Sequence, residues 1–257
     1  MSRESEHRRH ETDTGLVAEP QLDVRTDVII PALNEAGSIA GVVRAIPRSL
    51  ASTVIVVDNG SSDGTAEHAR AAGALVVEEG RRGYGAACLA GIRALPEETE
   101  IVAFLDGDGS DDPACLALLV EPIAAGRADF VVGSRALGRA EPGALSLQQR
   151  AGNAIAAAWL QARFRLPATD LGPFRAIRRR SLDELRMQDR NYGWTVEMQL
   201  KAARAGLRYV EVPVPYRRRA NGTSKVSGTI RGTLGASLKI LGLLAWHDVA
   251  GIGRRTP

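Results

Sequence analysis

Cysteines and aromatic residues are both scarce in this sequence. Its 257 residues contain two cysteines, Cys88 and Cys115, which are too few for a disulfide framework or a cysteine-rich zinc site, so a reducing compartment is expected. Aromatic residues make up only 4% of the chain, and no known nucleic-acid-reading motif occurs. We therefore expect no nucleic-acid partner.

Long hydrophobic runs are missing as well. No stretch approaches the roughly 18 uninterrupted apolar residues of a membrane-spanning helix, and the N-terminus lacks the apolar core of a signal peptide. These absences predict a cytoplasmic protein, with peripheral attachment to the inner face of the membrane as an alternative. The net charge is only +3, but residues 175–231 hold fourteen Lys/Arg and five Asp/Glu. Such a basic block suits an anionic membrane surface or a phosphorylated ligand, or is simply a solvated face.

The pattern along the chain predicts one α/β domain between two tails. Residues 1–24 are polar and aperiodic, which is typical of a disordered tail. Over residues 25–228, short Val- and Ile-rich runs alternate with helical stretches, which predicts a mostly parallel central sheet with helices on both faces. The run RYVEVPVPY predicts an edge strand, because proline cannot donate a ladder hydrogen bond. Residues 229–257 predict a C-terminal amphipathic helix and tail, which could pack on the domain or lie on a membrane.

The segment FLDGDGSDDP, residues 104–113, is the most unusual in the chain because four aspartates fall within seven positions. It is not an EF-hand loop, since Asp111 and Ala117 stand where that loop needs Gly and Glu. Asp106 and Asp108 follow a buried strand, where alternate carboxylates suit a hard divalent cation that keeps positions open for phosphate oxygens. Asp112, directly before a proline, is predicted to cap the next helix.

Other polar segments also follow predicted strand ends, where open parallel sheets bind ligands. Asn34 and Glu35 in PALNE and Asp58 in DNGSSDGT either face a nucleotide or serve only as cap and turn residues. Gly83 and Gly85, in GRRGYGAACLAG, would let backbone N–H groups approach an anionic ligand at a helix N-terminus. The convergence of these loops on one edge predicts a binding site there.

A basic segment near the end of the domain reads YRRRANGTSK. Arg217, Arg218, Arg219 and Lys225 surround a flexible NGTS turn. A mobile basic loop could close over a diphosphate held beside a carboxylate-bound metal. An exposed charged loop without such a role is the alternative.

In this order, the segments resemble the family 2 glycosyltransferases, and within that family the dolichyl-phosphate mannosyltransferase and polyprenyl-phosphate glucosyltransferase branch. The motifs that carry the resemblance are PALNE, VVDNGSSDGT, GYGAA, LDGDGSDDP, VVGSR, TDLGPFRA and RANGTSK. The resemblance runs from about Thr26 to Lys225. It implies a GT-A fold, a nucleotide-diphosphate sugar donor, a Mg²⁺ or Mn²⁺ ion, and inversion at the anomeric carbon.

The resemblance also implies roles for individual residues. Those assigned to the nucleotide pocket are Pro31, Asn34, Glu35 and Asp58. Those assigned to the metal are Asp106 and Asp108, with Asp108 as the more direct ligand. Those assigned to the transferred sugar, the acceptor phosphate and the closing basic loop are Ser134, Arg135, Arg219 and Lys225.

The acceptor is expected to be a polyprenyl or dolichyl phosphate at the membrane surface. The protein partners considered are a membrane protein and a second copy of the chain. Such an acceptor oxygen is already ionised, so no general base is needed and Arg135 would position the phosphate. A soluble sugar or small-molecule hydroxyl is the alternative acceptor; it needs a base, for which Asp170 and Glu197 are the candidates. A sugar-phosphate nucleotidyltransferase is a further alternative, disfavoured because PALNEAGS replaces its glycine-rich segment. A binding module without catalysis is disfavoured by the intact Asp106/Asp108 pair.

Overall fold

The structure is a computed structural model that describes residues 24–219. The predicted C-terminal helix, Lys225 and all but the last residue of the predicted N-terminal tail lie outside the described residues. None of the helices within the described range has the length and apolar character needed to cross a bilayer.

Strands and helices alternate through the first half of the described chain, as predicted. The strands are β1 (Thr26–Ala32), β2 (Thr53–Asp58), β3 (Leu75–Glu78), β4 (Ile101–Phe104), β5 (Phe130–Ser134), β6 (Arg175–Arg178) and β7 (Tyr209–Pro213). The helices are α1 (Ile39–Ala45), α2 (Thr65–Ala71), α3 (Tyr84–Arg93), α4 (Leu116–Ala124), α5 (Leu147–Phe164), α6 (Arg179–Leu185) and α7 (Trp194–Arg204). A short 3₁₀ turn, Pro113–Cys115, leads into α4.

All seven strands join one sheet in the order β3-β2-β1-β4-β6-β5-β7. Strand β6 runs antiparallel to β4 and β5, while the other pairs are parallel. The carboxyl ends of β1, β2, β4 and β5 therefore share one edge. Strand β7 lies at the border of the sheet, as its prolines predict.

Helices cover both faces of the sheet. Helices α1, α2 and α4 contribute to one apolar cluster, and α3, α6 and α7 to the other. Successive β1 residues Ile29 and Ile30 are both fully buried, and they point into opposite clusters. Burial of such a side chain stabilises the fold by about 1.5–3 kcal/mol. This two-sided burial is the reason that the strand sequences read as continuous apolar runs.

Candidate active site

The aspartate-rich loop follows β4 at the carboxyl edge of the sheet and is held by short hydrogen bonds. Ser38 Oγ donates to the carbonyl of Gly107 over 2.8 Å. The backbone N–H of Ser110 donates to Asp108 Oδ1, also over 2.8 Å. A side chain at position 107 would press on Ile39, because a Cβ there would lie 3.1 Å from its Cδ1 atom. The loop thus follows the sheet closely, with Asp106 and Asp108 on either side of a glycine.

Asp112, in contrast, is a structural residue, as predicted. Its side chain accepts a hydrogen bond from the backbone N–H of Ala114, and Pro113 follows it in the first turn. Its other carboxylate oxygen pairs with Arg217 Nη2 at 2.6 Å. The last aspartate of the motif therefore caps the helical segment that leads into α4.

The remaining carboxylates lie close together and are poorly compensated. Burial, and next the charge of Asp108, raise the pKa of Asp106 to about 7, although Arg219 and the Tyr84 hydroxyl oppose this shift. Burial and the charge of Asp106 hold the pKa of Asp111 well above its usual range. Both carboxylate oxygens of Asp111 are buried without a hydrogen-bond partner. Such crowding is unfavourable unless positive charge is supplied.

A cavity of about 300 Å³ opens beside this loop. Of the residues predicted for the site, those that line the cavity are Pro31, Glu35, Gly83, Asp106, Asp108 and Arg219. Arg219 Nη2 lies 3.0 Å from Asp108 Oδ2, and Nη1 lies 3.8 Å from Glu35 Oε1. The structure therefore brings the predicted metal pair together with one arginine of the basic segment.

The donor set fits a hard divalent cation. Asp106 and Asp108 present carboxylate oxygens to the cavity, and the buried Ser110 Oγ lacks a hydrogen-bond partner. Within residues 24–219, no group of three or more His, Cys, Asp or Glu side chains is placed to hold a metal ion. A cation held by two carboxylates has open positions for ligand oxygens, such as those of phosphates.

The two glycines of the GYG segment do not expose their N–H groups to a ligand, and this prediction is corrected. Gly83 N donates to Asn59 Oδ1 over 2.7 Å, and Gly85 N donates to the carbonyl of Asn191 over 3.2 Å. A Cβ on Gly85 would lie 2.0 Å from the carbonyl oxygen of Asp189. A larger residue would not fit at either position, because a second loop, residues 188–193, packs directly on the start of α3.

Asn34 and Asp58 lie near the cavity but do not line it. Asn34 joins the loops after β1 and β2: its Oδ1 accepts from the N–H of Ser62, and its N–H donates to Ser61 Oγ. Asp58 Oδ1 accepts from the N–H of Ser61, and Asp58 lines an adjoining depression. Asn34 and Asp58 thus hold the loops around the cavity in place. A contact between Asp58 and a base stays a prediction.

The residues predicted for the acceptor side form a buried cluster at the end of β5. Asp170 accepts from the backbone N–H, Nε and Nη2 of Arg135, at 2.7, 2.8 and 2.8 Å. Ser134 is fully buried and bonds Thr169 through its hydroxyl. Neither Arg135 nor Ser134 lines the cavity. Because its guanidinium is paired with Asp170, Arg135 is less available to an acceptor phosphate than the sequence suggested.

Glu197 is also engaged within the protein. Its carboxylate accepts from the N–H groups of Gln188 and Asp189, and Lys201 Nζ lies 2.7 Å from it. Glu197 is 3% exposed and does not line the cavity. These contacts favour a role in holding the loop 188–193 over the predicted role of a general base.

Sequence reasoning missed several residues that surround the cavity. Asn59 was not among the predicted site residues, yet it lines the cavity, and its side-chain amide donates to the carbonyls of Glu79 and Arg81. Tyr84 donates its hydroxyl proton to Asp106 Oδ1 over 3.1 Å. Tyr192 was assigned no role from the sequence, yet it lines the cavity. Residues 190 and 191 contact α3 beside the cavity, and nothing in the local sequence signals that contact.

Comparison with known proteins places this site in a family. The model for glycosyl transferase family 2 matches residues 27–186. The chain belongs to glycosyl transferase family 2. An uncharacterized glycosyltransferase of Mycobacterium tuberculosis is 42% identical over 213 residues, which cover 82% of this chain and 94% of that relative. This family 2 protein is thus a glycosyltransferase, as its motifs indicated.

Two further comparisons bear on the fold and on the branch. The undecaprenyl-phosphate mannosyltransferase of Micrococcus luteus is 31% identical over 242 residues, which cover 88% of this chain and 98% of the relative. Glucosyl-3-phosphoglycerate synthase of Mycobacterium tuberculosis, crystallised with Mn²⁺, UDP-glucose and phosphoglyceric acid, is 24% identical with a TM-score of 0.70, and the match covers 87% of this chain and 79% of that one. The GT-A-like α/β fold is confirmed. The family is established, whereas the dolichyl or polyprenyl branch is not.

Proposed function

We propose that this family 2 glycosyltransferase takes a sugar from a nucleoside-diphosphate donor bound in the cavity beside Asp106 and Asp108. The observation that carries the proposal is that Asp106 and Asp108 line a cavity together with Arg219, next to the buried and unpartnered carboxylate of Asp111. A divalent cation and the diphosphate of a donor would balance those charges. The Mn²⁺ and UDP-glucose bound to the structurally similar synthase support this choice of ligands.

The chemical task is to let a nucleoside diphosphate leave the sugar. Its negative charge grows as the glycosidic bond breaks, so groups placed near its oxygens stabilise the transition state more than the ground state. Asp106 and Asp108 would hold Mg²⁺ or Mn²⁺, which neutralises charge on the diphosphate when it is bound. Arg219, at the same cavity, would donate hydrogen bonds to the phosphate oxygens once it leaves Asp108.

For the acceptor, we propose a soluble small molecule that carries a hydroxyl group. The synthase with a similar fold was crystallised with phosphoglyceric acid, a small soluble acid, and this supports the choice. The Arg135–Asp170 pair at the end of β5 would lie next to such an acceptor, because Arg135 is close enough to Asp106 and Asp111 for its charge to oppose the rise that burial causes in their pKa values.

A polyprenyl phosphate is the second candidate, and one structural observation favours it. Asp170 and Glu197, the two candidate bases, both have their carboxylates engaged by N–H groups and cations. An acceptor phosphate is already ionised and needs neither of them. The mannosyltransferase relative acts on undecaprenyl phosphate according to its name, and this supports the same acceptor class.

A matrix of donors and acceptors tests the proposal. UDP-glucose and GDP-mannose are offered with Mn²⁺ or Mg²⁺, each with 3-phosphoglycerate, with undecaprenyl phosphate in detergent, and without acceptor. We expect metal-dependent release of nucleoside diphosphate and a glycosylated product in one acceptor arm. Product with the small acid supports the soluble acceptor, and product only with the lipid overturns it in favour of the second candidate. No binding of any nucleotide sugar would overturn the proposed function.

A further inference from the structure

The side chain of Tyr192 lies in the mouth of the donor cavity and is 42% exposed. No other Phe, Trp or Tyr between residues 24 and 219 is comparably exposed. A single exposed apolar side chain on a protein surface is ordinary. An aromatic ring that borders a ligand cavity is different, because a flat ligand can cover it and remove its apolar area from water.

The loop that carries Tyr192 is fixed from inside. Asp189 Oδ1 accepts from the N–H groups of Asn191 and Gly193, at 2.6 and 3.2 Å. Glu197, described above, accepts from two N–H groups at the start of the same loop. The ring is therefore presented by a preorganised backbone, and little conformational entropy is lost when a ligand stacks on it.

The loop is also fixed from outside, against the half of the sheet that forms the cavity. The carbonyls of Arg190 and Asn191 accept from Ala86 and Gly85 at the start of α3. Since the cavity is built from the ends of β1, β2 and β4, Tyr192 belongs to this donor half. The clusters at the ends of β5 and β6 do not contribute to it.

The cavity lining contains both charged and apolar residues. Asp106, Asp108 and Arg219 are among the charged ones, which suits a metal-bound diphosphate. Pro31, Ala32, Leu33 and Ala87 supply apolar area, and Tyr192 adds an aromatic side chain. A nucleoside diphosphate needs both kinds of contact, because an uncharged aromatic base is joined through ribose to a charged diphosphate.

We propose that Tyr192 is the stacking platform for the nucleobase of the donor. This inference rests on the proposed function, since it concerns the same cavity. Stacking is tolerant of base identity because every base has an aromatic face. Tyr192 therefore sets donor affinity, and discrimination between bases comes from polar contacts elsewhere.

Calorimetric titration separates the base from the diphosphate. UDP, GDP and inorganic pyrophosphate are titrated with Mn²⁺ into wild type, Tyr192→Ala and Tyr192→Phe, with Leu137→Ala as a control for an exposed apolar residue outside the cavity. We expect Tyr192→Ala to weaken the nucleotide that wild type binds by about 5- to 150-fold, and to leave pyrophosphate affinity unchanged. Tyr192→Phe and Leu137→Ala should bind like wild type.

Three results would overturn the inference. Unchanged nucleotide affinity in Tyr192→Ala would remove the stacking contact. An equal loss for pyrophosphate would show that the residue acts on the loop or on the diphosphate. If wild type binds neither nucleotide, the proposed function itself fails, and the inference fails with it.

Discussion

The two ends of the central sheet treat their carboxylates in opposite ways. At the amino end of β5, Asp129 is paired with Arg208 at 2.7 Å, and this hydrogen-bonded contact lowers its pKa to about 2. At the carboxyl end of β4, burial and the neighbouring Asp108 raise the pKa of Asp106 to about 7. Asp129 is paired with an arginine of the same chain, whereas Asp106 lies in a group of carboxylates that has too little positive charge around it.

This difference separates structural from functional charge. A carboxylate paired inside the protein stabilises the fold and needs nothing from solution. A crowded group of buried carboxylates costs stability and is kept where a ligand supplies the missing charge. The comparison predicts that substitutions at the two ends will affect different measurements.

The largest effect is expected for Asp108→Ala. Without this carboxylate, the cation and the diphosphate lose a direct contact, and the rate of sugar transfer should fall by at least about 10²-fold. The circular dichroism spectrum and the melting transition should remain those of a folded protein. The measurement is nucleoside-diphosphate release with Mn²⁺, and Asp112→Ala serves as the neighbouring control. Activity within a few fold of wild type would remove Asp108 from the metal site.

The next largest effect is expected at Asp129, at the other end of the sheet, where a substitution should change stability and not activity. Asp129→Ala should lower the free energy of unfolding by about 1.5–3 kcal/mol, because it removes hydrogen bonds to the charged guanidinium of Arg208. The transfer rate per folded molecule should not change. Urea unfolding measures the first quantity, with Glu121→Ala as the matched control, since its pair with Arg127 is exposed and worth at most about 1 kcal/mol. Equal stability of the two variants would contradict the assignment.

A smaller effect appears as a change with pH. The folded-state pKa of Asp106 is raised, so its contribution to the stability of the metal-free protein is present below about pH 4 and is lost as the pH rises through 7. Asp106→Asn should flatten that decline in urea unfolding carried out with EDTA. The pKa of Asp129 is lowered, so its contribution is present above about pH 4 and is lost as the pH falls through 2. Parallel curves for wild type and Asp106→Asn from pH 4 to 8 would contradict the raised pKa.

The smallest effect concerns Asp112, which lies within the acidic motif but behaves like the paired end. Asp112→Ala should cost about 1 kcal/mol of stability through the lost cap. Asp112→Asn keeps the cap and loses only the exposed pair with Arg217, so its stability should stay close to that of wild type. Both variants should retain transfer activity, and a loss as large as that of Asp108→Ala would place Asp112 in the metal site.

The sequence was sufficient for the α/β architecture because buried parallel strands leave a plain local signal. The runs that became β1 to β5 are short, apolar and rich in Val and Ile, and the edge position of β7 followed from its prolines. Strand β6 was not predicted. It has only four residues and an arginine at each end, and the buried Arg175 satisfies its guanidinium with the carbonyls of Gly172 and Thr195.

The candidate site was predictable where a short segment has an unusual composition, as in the acidic loop and in the basic segment that carries Arg219. Asp106 and Asp108 share one loop with an unusual composition, and Pro31 and Glu35 share another. Tyr192 is placed at the cavity by contacts between segments that are more than 100 residues apart in the sequence. Glycine is needed at positions 83 and 85 because of the same packing. The engagement of Asp170 and Glu197 likewise depends on partners that no local pattern reveals.

The reversed direction of β6 has a consequence for the catalytic edge. Because β6 is antiparallel to β4 and β5, its amino end lies at the edge where those strands have their carboxyl ends. Residues 169–174, which precede β6, therefore lie at that edge. Insertions or replacements in this approach segment could therefore alter the neighbourhood of Arg135 while the loops that follow β1, β2 and β4 stay unchanged. Under the proposed function, such an arrangement would let acceptor preference diversify in one part of the chain while donor recognition persists in another.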